Sequence, residues 1–176
     1  MKPSFCRAGK SVTTFGKYET TSPIRRRDRQ LSEPAAMQLL TEATYGILCM
    51  QDTDGGGYGI PLHYVWDGAE ALYLHCATEG HKLDRLAAEP RAVFIITGNC
   101  RILPESFSSA YESLLLRGRV DTVTTETDKN AALQGFLNKY TPEAGERGAH
   151  FLLHASHRTT MLRFRILSVS GKENRG

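Results

Sequence analysis

Residues 73–86, YLHCATEGHKLDRL, bring two histidines, a cysteine and a lysine close together along the chain. Side chains of these types could ligate a metal, act as a nucleophile with its base, or hold an anionic ligand where a strand gives way to a helix. The three chemistries require different side-chain directions. The predicted secondary structure therefore decides among them.

A metal site is not predicted in this stretch. Neighbouring residues of a strand point to opposite faces, so His75 and Cys76 cannot readily ligate one ion. His75 and His81 lie on different predicted elements, and their spacing matches no standard zinc pattern. Cys76 shares its face with Leu72 and Leu74, which predicts a core residue and not a nucleophile.

The corner between the strand and the helix offers another chemistry. Thr78 is the predicted N-cap, residues 79–81 form the first turn, and Lys82 follows. Free backbone amides at a helix N-terminus bind phosphate, and a lysine adds a point charge. An ordinary capped helix with an exposed lysine gives the same pattern. Both interpretations stay open on this local evidence.

The rest of the chain predicts mostly strands joined by tight turns. Apolar or alternating runs that predict strands occupy residues 45–50, 58–66, 71–77, 91–98, 109–123 and 159–169. Helical patterns occupy a segment that begins at residues 32–34, residues 80–88 and residues 125–140. This order favours a mainly β fold, a six-stranded antiparallel barrel with peripheral helices, over a doubly wound sheet.

Periodicity also predicts which residues face the core. Within the second strand, one face carries Tyr58, Ile60, Leu62, Tyr64 and Trp66. The apolar stripe of the first helix consists of Ala36, Leu39, Leu40 and Ala43. The inward residues of the last strand are Leu162, Phe164 and Ile166, and those of the helix at 125–140 are Ala131, Leu133, Phe136 and Leu137.

Length and composition predict one soluble domain. The 176 residues suffice for a core without disulfides. Residues 1–23 are polar and aperiodic and are predicted to be a flexible extension, with the domain spanning residues 24–176. Four scattered cysteines, the lack of an apolar segment after the basic N-terminus and the lack of a membrane-length window predict a cytoplasmic protein without a membrane partner.

The charge is mildly basic. A formal net charge of +3 is compatible with an anionic ligand and too small to argue for nucleic acid. The run IRRRDRQ, residues 24–30, is either an anion contact or a solvated approach to the first helix. No GxGxxG opens a βαβ unit, so a nicotinamide dinucleotide is not expected to bind as in a Rossmann domain.

The order of several motifs carries a resemblance to a known family. The runs IRRRDR, YGIPLHYVWDG, LYLHCATEGHKLDRL, YESLLLRGRV and SVSGKEN together resemble Nim-type 5-nitroimidazole resistance proteins, which belong to the pyridoxamine 5′-phosphate oxidase-like, FMN-binding split-barrel superfamily. The resemblance covers residues 24–174. It implies a split β-barrel homodimer with a flavin at the subunit interface, usually FMN with FAD possible. It also implies reduction of the nitro group of nitroaromatic small molecules to an amine.

The resemblance assigns site residues by position. Those along the flavin ring are Pro61, Leu62, His63 and Tyr64, and those on the adjacent strand are His75, Cys76 and Ala77. Those near the phosphate and ribityl chain are Thr78, Lys82, Ser113 and Gly118. His75 matches a strand histidine that the family implicates in its active site, and it either supplies a proton or only donates a hydrogen bond. His63 could point at the ring edge. Tyr64 and Trp66 are either barrel packing or a stacking surface for the substrate.

The sequence departs from the family pattern in two respects, and it leaves two other functions open. The turn DTDGGG is unusually rich in glycine, and the residues of pyridoxamine phosphate oxidation are not recognisable, so that activity is not expected. The protein could instead bind flavin or haem for storage, sensing or sequestration, with His63, His75 or His81 as an axial ligand. A basic interaction segment around IRRRDR is the third hypothesis.

Overall fold

The barrel is formed by six antiparallel strands. The structure, a computed structural model, describes residues 25–145, 147–148, 150 and 158–176. The strands are β1 (Tyr45–Gln51), β2 (Gly57–Trp66), β3 (Ala71–Cys76), β4 (Arg91–Leu103), β5 (Ser108–Thr122) and β6 (Thr160–Asn174). They close in the order β1–β2–β3–β6–β5–β4. The predicted fold class is confirmed. The predicted extension, residues 1–23, lies outside the described residues.

Alternating side chains fill the barrel. The aromatic rings of Tyr64, Phe94 and Phe164 are fully buried at its centre. The even-numbered residues of β2 pack against this core, as the period-two pattern predicted. Because small barrels have no lumen, their inward side chains form the hydrophobic core directly.

Three helices surround the barrel. They are α1 (Glu33–Glu42), α2 (His81–Ala88) and α3 (Glu126–Tyr140), and short 3-10 turns lie at Arg27–Arg29 and Pro104–Ser106. Leu39 and Leu40 of α1 and Leu86 of α2 join the barrel core. None of the helices among the described residues is long and apolar enough to cross a membrane.

Helix α3 covers part of the outer barrel surface. Leu133 and Phe136 pack against Val65 of β2 and Met161 of β6 in a second apolar cluster. The prediction that Ala131 faces inward is wrong, since Ala132 is buried and Ala131 is exposed. Helix α3 docks on apolar residues of β2 and β6. Which of the two adjacent alanines is buried depends on that docking.

The start of α2 also differs from the sequence prediction. Thr78 is not its N-cap, because the helix begins at His81 and Gly80 takes the N-cap position. Gly80 has φ of 128°, a conformation that residues with a side chain rarely adopt. The chain therefore turns at the glycine, and Thr78 stays in the loop that follows β3.

The ladder between β2 and β3 is short. Only Tyr64–Trp66 pair with Leu72–Leu74, although β2 is 10 residues long. β2 thus leaves residues 57–63 without a partner strand on the β3 side. We call the opening between residues 57–63 and residues 75–82 the seam.

A glycine allows close packing on the opposite side of the barrel. Gly118 lies at a register shift between β5 and β6. A Cβ there would fall 2.6 Å from Cε1 of Phe164 and closer still to the backbone oxygen of Arg165. The packing of β5 on β6 thus requires a residue without a side chain.

Gly118→Ala is expected to lower the free energy of unfolding by about 1–3 kcal/mol, because the methyl group must displace the Phe164 ring or the β6 backbone. Urea unfolding followed by fluorescence measures this change. Gly57→Ala is the control, since a Cβ there meets no atom within 4 Å. Equal unfolding curves for the two variants would contradict the packing argument.

Candidate functional site

The backbone of β2 turns unpaired polar groups toward the seam. The N–H of Tyr64 donates to the Tyr140 hydroxyl at 3.1 Å, and the same hydroxyl lies 2.7 Å from the carbonyl oxygen of Thr44, where β1 begins. Adjacent residues of an antiparallel strand direct their N–H and C=O to opposite sides. The backbone groups of His63 and the carbonyl of Pro61 therefore face the seam. Pro61 has no N–H, which suits an edge position.

Two imidazoles flank the end of the seam where β2 and β3 meet, which we call the vertex. Continuing the register of Tyr64 with Leu74 places His63 opposite His75 on the outer barrel face. The His75 ring packs edge-on against Phe136, with centroids 4.7 Å apart. Burial, and secondarily the nearby His63, lower the pKa of His75. This shift favours the neutral form of the His75 imidazole over the imidazolium.

His63 is held by groups outside the seam. Its Nδ1 lies 2.8 Å from the carbonyl oxygen of Thr44, and its ring meets the Tyr140 ring edge-on at 4.9 Å. These contacts hold the edge of the His63 ring that faces Thr44 and Tyr140. Its Nε2 makes no hydrogen bond to the described residues.

The Tyr140 hydroxyl closes the end of the β1–β2 ladder. It contacts the N–H and the carbonyl oxygen of Tyr64, the latter at 2.8 Å, and the carbonyl oxygen of Thr44. Beside it, the Lys139 ammonium lies 3.9 Å from the centroid of the Tyr64 ring. Burial lowers the pKa of Lys139 to about 8. Cation–π contact with Tyr64 offsets part of the cost of desolvating this ammonium.

A hydrogen-bonded pair of side chains closes the far end of the seam. Nε2 of His81 lies 2.8 Å from Oδ1 of Asp52, and the His81 ring meets Tyr58 edge-on at 4.9 Å. The N–H of Thr53 and the His81 contact lower the pKa of Asp52. The glycine-rich β1–β2 turn is thus tied to the first residue of α2.

Lys82 is the cation of the corner. It stands in the first turn of α2, is half-buried, and forms no ion pair with the described part of the chain. Burial raises the pKa of the neighbouring Cys76, although the Lys82 charge opposes that shift. A cation without a carboxylate partner at a helix N-terminus favours an anionic ligand group.

The space next to Thr78 is a separate cavity. It has a volume of about 540 Å³, lies between α2 and the ends of β5 and β6, and is lined by Thr78, Asp84 and Asp121 among other residues. Asp121 is already paired with Arg165 at 2.9 Å. The described residues hold no cluster of three or more potential metal ligands.

The predicted residues divide into three groups. Those that lie along the seam are Pro61, His63, His75, Ala77, Thr78 and Lys82. Leu62, Tyr64 and Cys76 also belong to its strands, but their side chains pack into the barrel, so only their backbones can meet a ligand there. Tyr64 is fully buried and donates its hydroxyl to the carbonyl of Leu40. Its ring is therefore barrel packing.

The other two predicted residues lie elsewhere in the chain. Ser113 and Gly118 are on β5, which is separated from β3 by β6 and does not border the seam. The Ser113 hydroxyl contacts the carbonyl of Lys172 at 3.4 Å. One subunit therefore does not bring these two residues to the ligand position, and their role in cofactor binding stays a prediction.

Sequence reasoning missed several residues that shape the seam. Thr44, Tyr140 and Asp52 were not predicted, and neither was Lys139. Asp52 stands in the DTDGGG turn and could have been singled out there as the one carboxylate next to the strand. No spacing signal relates residue 140 to residues 44 and 64. Their contacts arise from the docking of α3.

This structure defines a class of protein, a six-stranded split barrel with an exposed strand edge and a basic corner. A model of the pyridoxamine 5′-phosphate oxidase family matches residues 32–173. The chain belongs to this family. A search of the curated proteins finds no match.

Solved structures with this fold are similar at low sequence identity. A candidate 5-nitroimidazole antibiotic resistance protein from Bacteroides thetaiotaomicron is 18% identical, with 81% of this chain and 84% of that chain covered and a TM-score of 0.69. The flavocytochrome Anf3 from Azotobacter vinelandii is 17% identical, with 91% and 76% covered and a TM-score of 0.73. An FAD-binding protein from Mesorhizobium loti is 22% identical, with 83% and 97% covered and a TM-score of 0.59. These likenesses show the fold.

Tyr140→Phe is expected to lower the free energy of unfolding by about 1–3 kcal/mol, because the Tyr64 N–H loses its partner where the ladder ends. Thermal and urea unfolding measure the loss. Tyr45→Phe is the matched control, since Tyr45 is 52% exposed and its hydroxyl makes no hydrogen bond to the described residues. A Tyr140→Phe variant as stable as this control would show that the hydroxyl does not hold the ladder end.

Proposed function

We propose that the protein is a flavin-dependent reductase of nitroaromatic small molecules that works as a homodimer with FMN, or FAD, at the seam. The observation that carries the proposal is that residues 57–63 of β2 and the Lys82 ammonium border the same seam and have no strand or ion-pair partner there among the described residues. Membership in the pyridoxamine 5′-phosphate oxidase family supports it. The similarity to the candidate 5-nitroimidazole resistance protein and to the FAD-binding protein supports it as well.

The residues present fit a flavin. A planar ring with polar edges needs a flat strand edge with free donors and acceptors, and residues 57–63 of β2 offer one. Added Cβ atoms would meet nothing within 4 Å at Gly57 and only ordinary contacts at Gly59, so the outer face of β2 is open beside this edge. A ribityl phosphate needs a cation and free amides, which Lys82 and the turn after Gly80 supply.

The flavin supplies hydride and electron transfer when bound. The chain binds its ring through the β2 backbone, balances its phosphate with Lys82 and excludes water where α3 covers the barrel. In the net reaction a nitro group becomes an amine, both oxygens leave as water, and each electron taken up is matched by a proton. A reduced nicotinamide dinucleotide or a redox partner protein is the external reductant.

His75 acts in this proposal as a neutral imidazole. Burial lowers the pKa of His75, which favours the neutral imidazole, and we assign it the role of a hydrogen-bond donor to the bound ring or substrate. Between the two roles that the sequence left open, the burial against Phe136 favours the hydrogen-bond donor.

Lys82→Ala is expected to weaken flavin binding about 10- to 100-fold, because the phosphate loses its charged partner. Fluorescence quenching of FMN and of FAD measures the dissociation constants. Turnover of a 5-nitroimidazole with excess reductant should fall in parallel and recover at saturating flavin. Lys129→Ala on α3 is the control that removes one positive charge away from the seam.

The purified protein decides between this proposal and the alternatives. Flavin absorption bands together with flavin-dependent nitro reduction support it. Bound flavin without nitro reduction leaves only the flavin-binding role for storage, sensing or sequestration. A Soret band would replace the flavin with haem, and a protein that takes up neither cofactor contradicts the proposal.

The homodimer part of the proposal rests on an exposed apolar surface. Ile47 and Tyr45 of β1 are 38% and 52% exposed and lie on the outer barrel face. Ile47 is paired with Pro61 on β2 and with Ile95 on β4. This surface is continuous with the seam at Pro61, so a second subunit packed on it would cover the bound ring.

Ile47→Glu is expected to shift the protein from dimer to monomer and to weaken flavin binding, because a charge would be buried at the interface. Light scattering after size exclusion measures the mass. Leu167→Glu is the control, since Leu167 is 58% exposed on β6, away from this surface. Monomeric wild-type protein, or dimers in the Ile47→Glu variant, would rule out this interface.

A further inference from the structure

We propose that His63 is a fixed hydrogen-bond acceptor at the vertex of the seam and selects ligand rings that present an N–H donor to it. The inference rests on the proposed function in one respect, that the ligand ring is a flavin or a close analogue. It concerns which chemical group of that ring the protein recognises. The hydrogen bond to the Thr44 carbonyl determines the role of His63.

The carbonyl of Thr44 determines where the proton of His63 sits. A carbonyl oxygen only accepts hydrogen bonds, so the contact of 2.8 Å requires a proton on Nδ1 of His63. A neutral imidazole carries one proton. Its Nε2 is then left with a lone pair and can only accept. The tautomer of neutral His63 thus follows from its partner.

Neighbouring groups keep this arrangement from reversing. To present an N–H from Nε2, neutral His63 would have to move its proton off Nδ1, and the Nδ1 lone pair would then face the lone pairs of the Thr44 carbonyl. The edge-on contact with the Tyr140 ring restricts rotation. Tyr140 is itself fixed by hydrogen bonds to Thr44 and Tyr64. The acceptor is therefore set before any ligand arrives.

His75 does not offer the same constraint. No hydrogen bond to the described residues fixes its ring, which packs against Phe136. Either tautomer of His75 is compatible with that contact. Of the two imidazoles at the vertex, only His63 has a ring nitrogen whose role is determined by the protein.

A fixed acceptor next to a free backbone edge matches a ring imide. The seam edge of β2 supplies the N–H of His63 as a donor, and Nε2 of the same residue is an acceptor nearby. An imide carries the complementary groups, a carbonyl oxygen beside an N–H. A ring methylated at this nitrogen would leave the Nε2 lone pair without a partner.

FMN and its N3-methylated analogue, which keep the phosphate that Lys82 is proposed to bind, test this recognition in the full chain freed of its own cofactor. Methylation is expected to weaken binding about 10- to 100-fold in the wild type, because it removes the donor and leaves the acceptor unpaired. In His63→Phe the two ligands should bind within about threefold of each other, as no acceptor is left. His75→Phe removes the other imidazole of the vertex. It is expected to lower the affinity for both ligands, because His75 also contacts the bound ring, while the ratio between the two ligands stays that of the wild type.

The outcomes separate this inference from the proposed function. An equal cost of methylation in the wild type and in His63→Phe would assign the N–H to a backbone carbonyl and overturn the inference while flavin binding stands. Loss of the difference in His75→Phe alone would assign the acceptor to His75. A wild type that binds neither ring would overturn the proposed function.

Nitrogen-15 NMR of the imidazole side chains provides an independent readout without any ligand. Neutral His63 should show a protonated Nδ1 and an unprotonated Nε2. The opposite tautomer, or a fast mixture of the two, would overturn the inference whatever the flavin measurements give.

Discussion

The short ladder between β2 and β3 is the constraint on which the rest of the structure depends. Backbone N–H and C=O groups must be paired or solvated, and a strand of 10 residues that is paired over three of them on one side leaves a polar edge open. Pro61 lacks one of the groups that would otherwise stay unpaired. Contacts at both ends of the seam, Tyr140 at one and Asp52 with His81 at the other, keep the edge from collapsing onto α2.

Electrostatics give the two ends of the seam different chemistry. At the vertex the His75 ring packs edge-on against Phe136 of α3, and burial lowers the pKa of His75. The Lys139 ammonium, also on α3, lies over the Tyr64 ring. At the corner the Lys82 cation has no acidic partner among the described residues, while Asp52 already pairs with His81. A ligand with a neutral polar ring at one end and a phosphate at the other complements this distribution.

The barrel core makes this arrangement rigid. Tyr64 joins the two regions, since its ring fills the barrel beside Phe94 and its backbone is held by Tyr140. Binding groups carried by packed strands keep their positions better than groups on loops, and a fixed acceptor such as His63 depends on that support. A substitution in the core beside Tyr64 is therefore expected to move the groups that bind the ligand ring as well.

The sequence by itself determined the six strands, the closed antiparallel arrangement and the inward face of β2, because period-two alternation and turn residues are local signals. It also indicated the family and the core position of Cys76, while the anion-binding role of Lys82 stays a prediction. Only the tertiary structure decided that Gly80 and not Thr78 caps α2, and that Ala132 and not Ala131 is buried. It also brought Thr44, Tyr140 and His63 together. These features depend on how α2 and α3 dock onto the barrel, and contacts between residues about a hundred positions apart leave no periodic trace in a single chain.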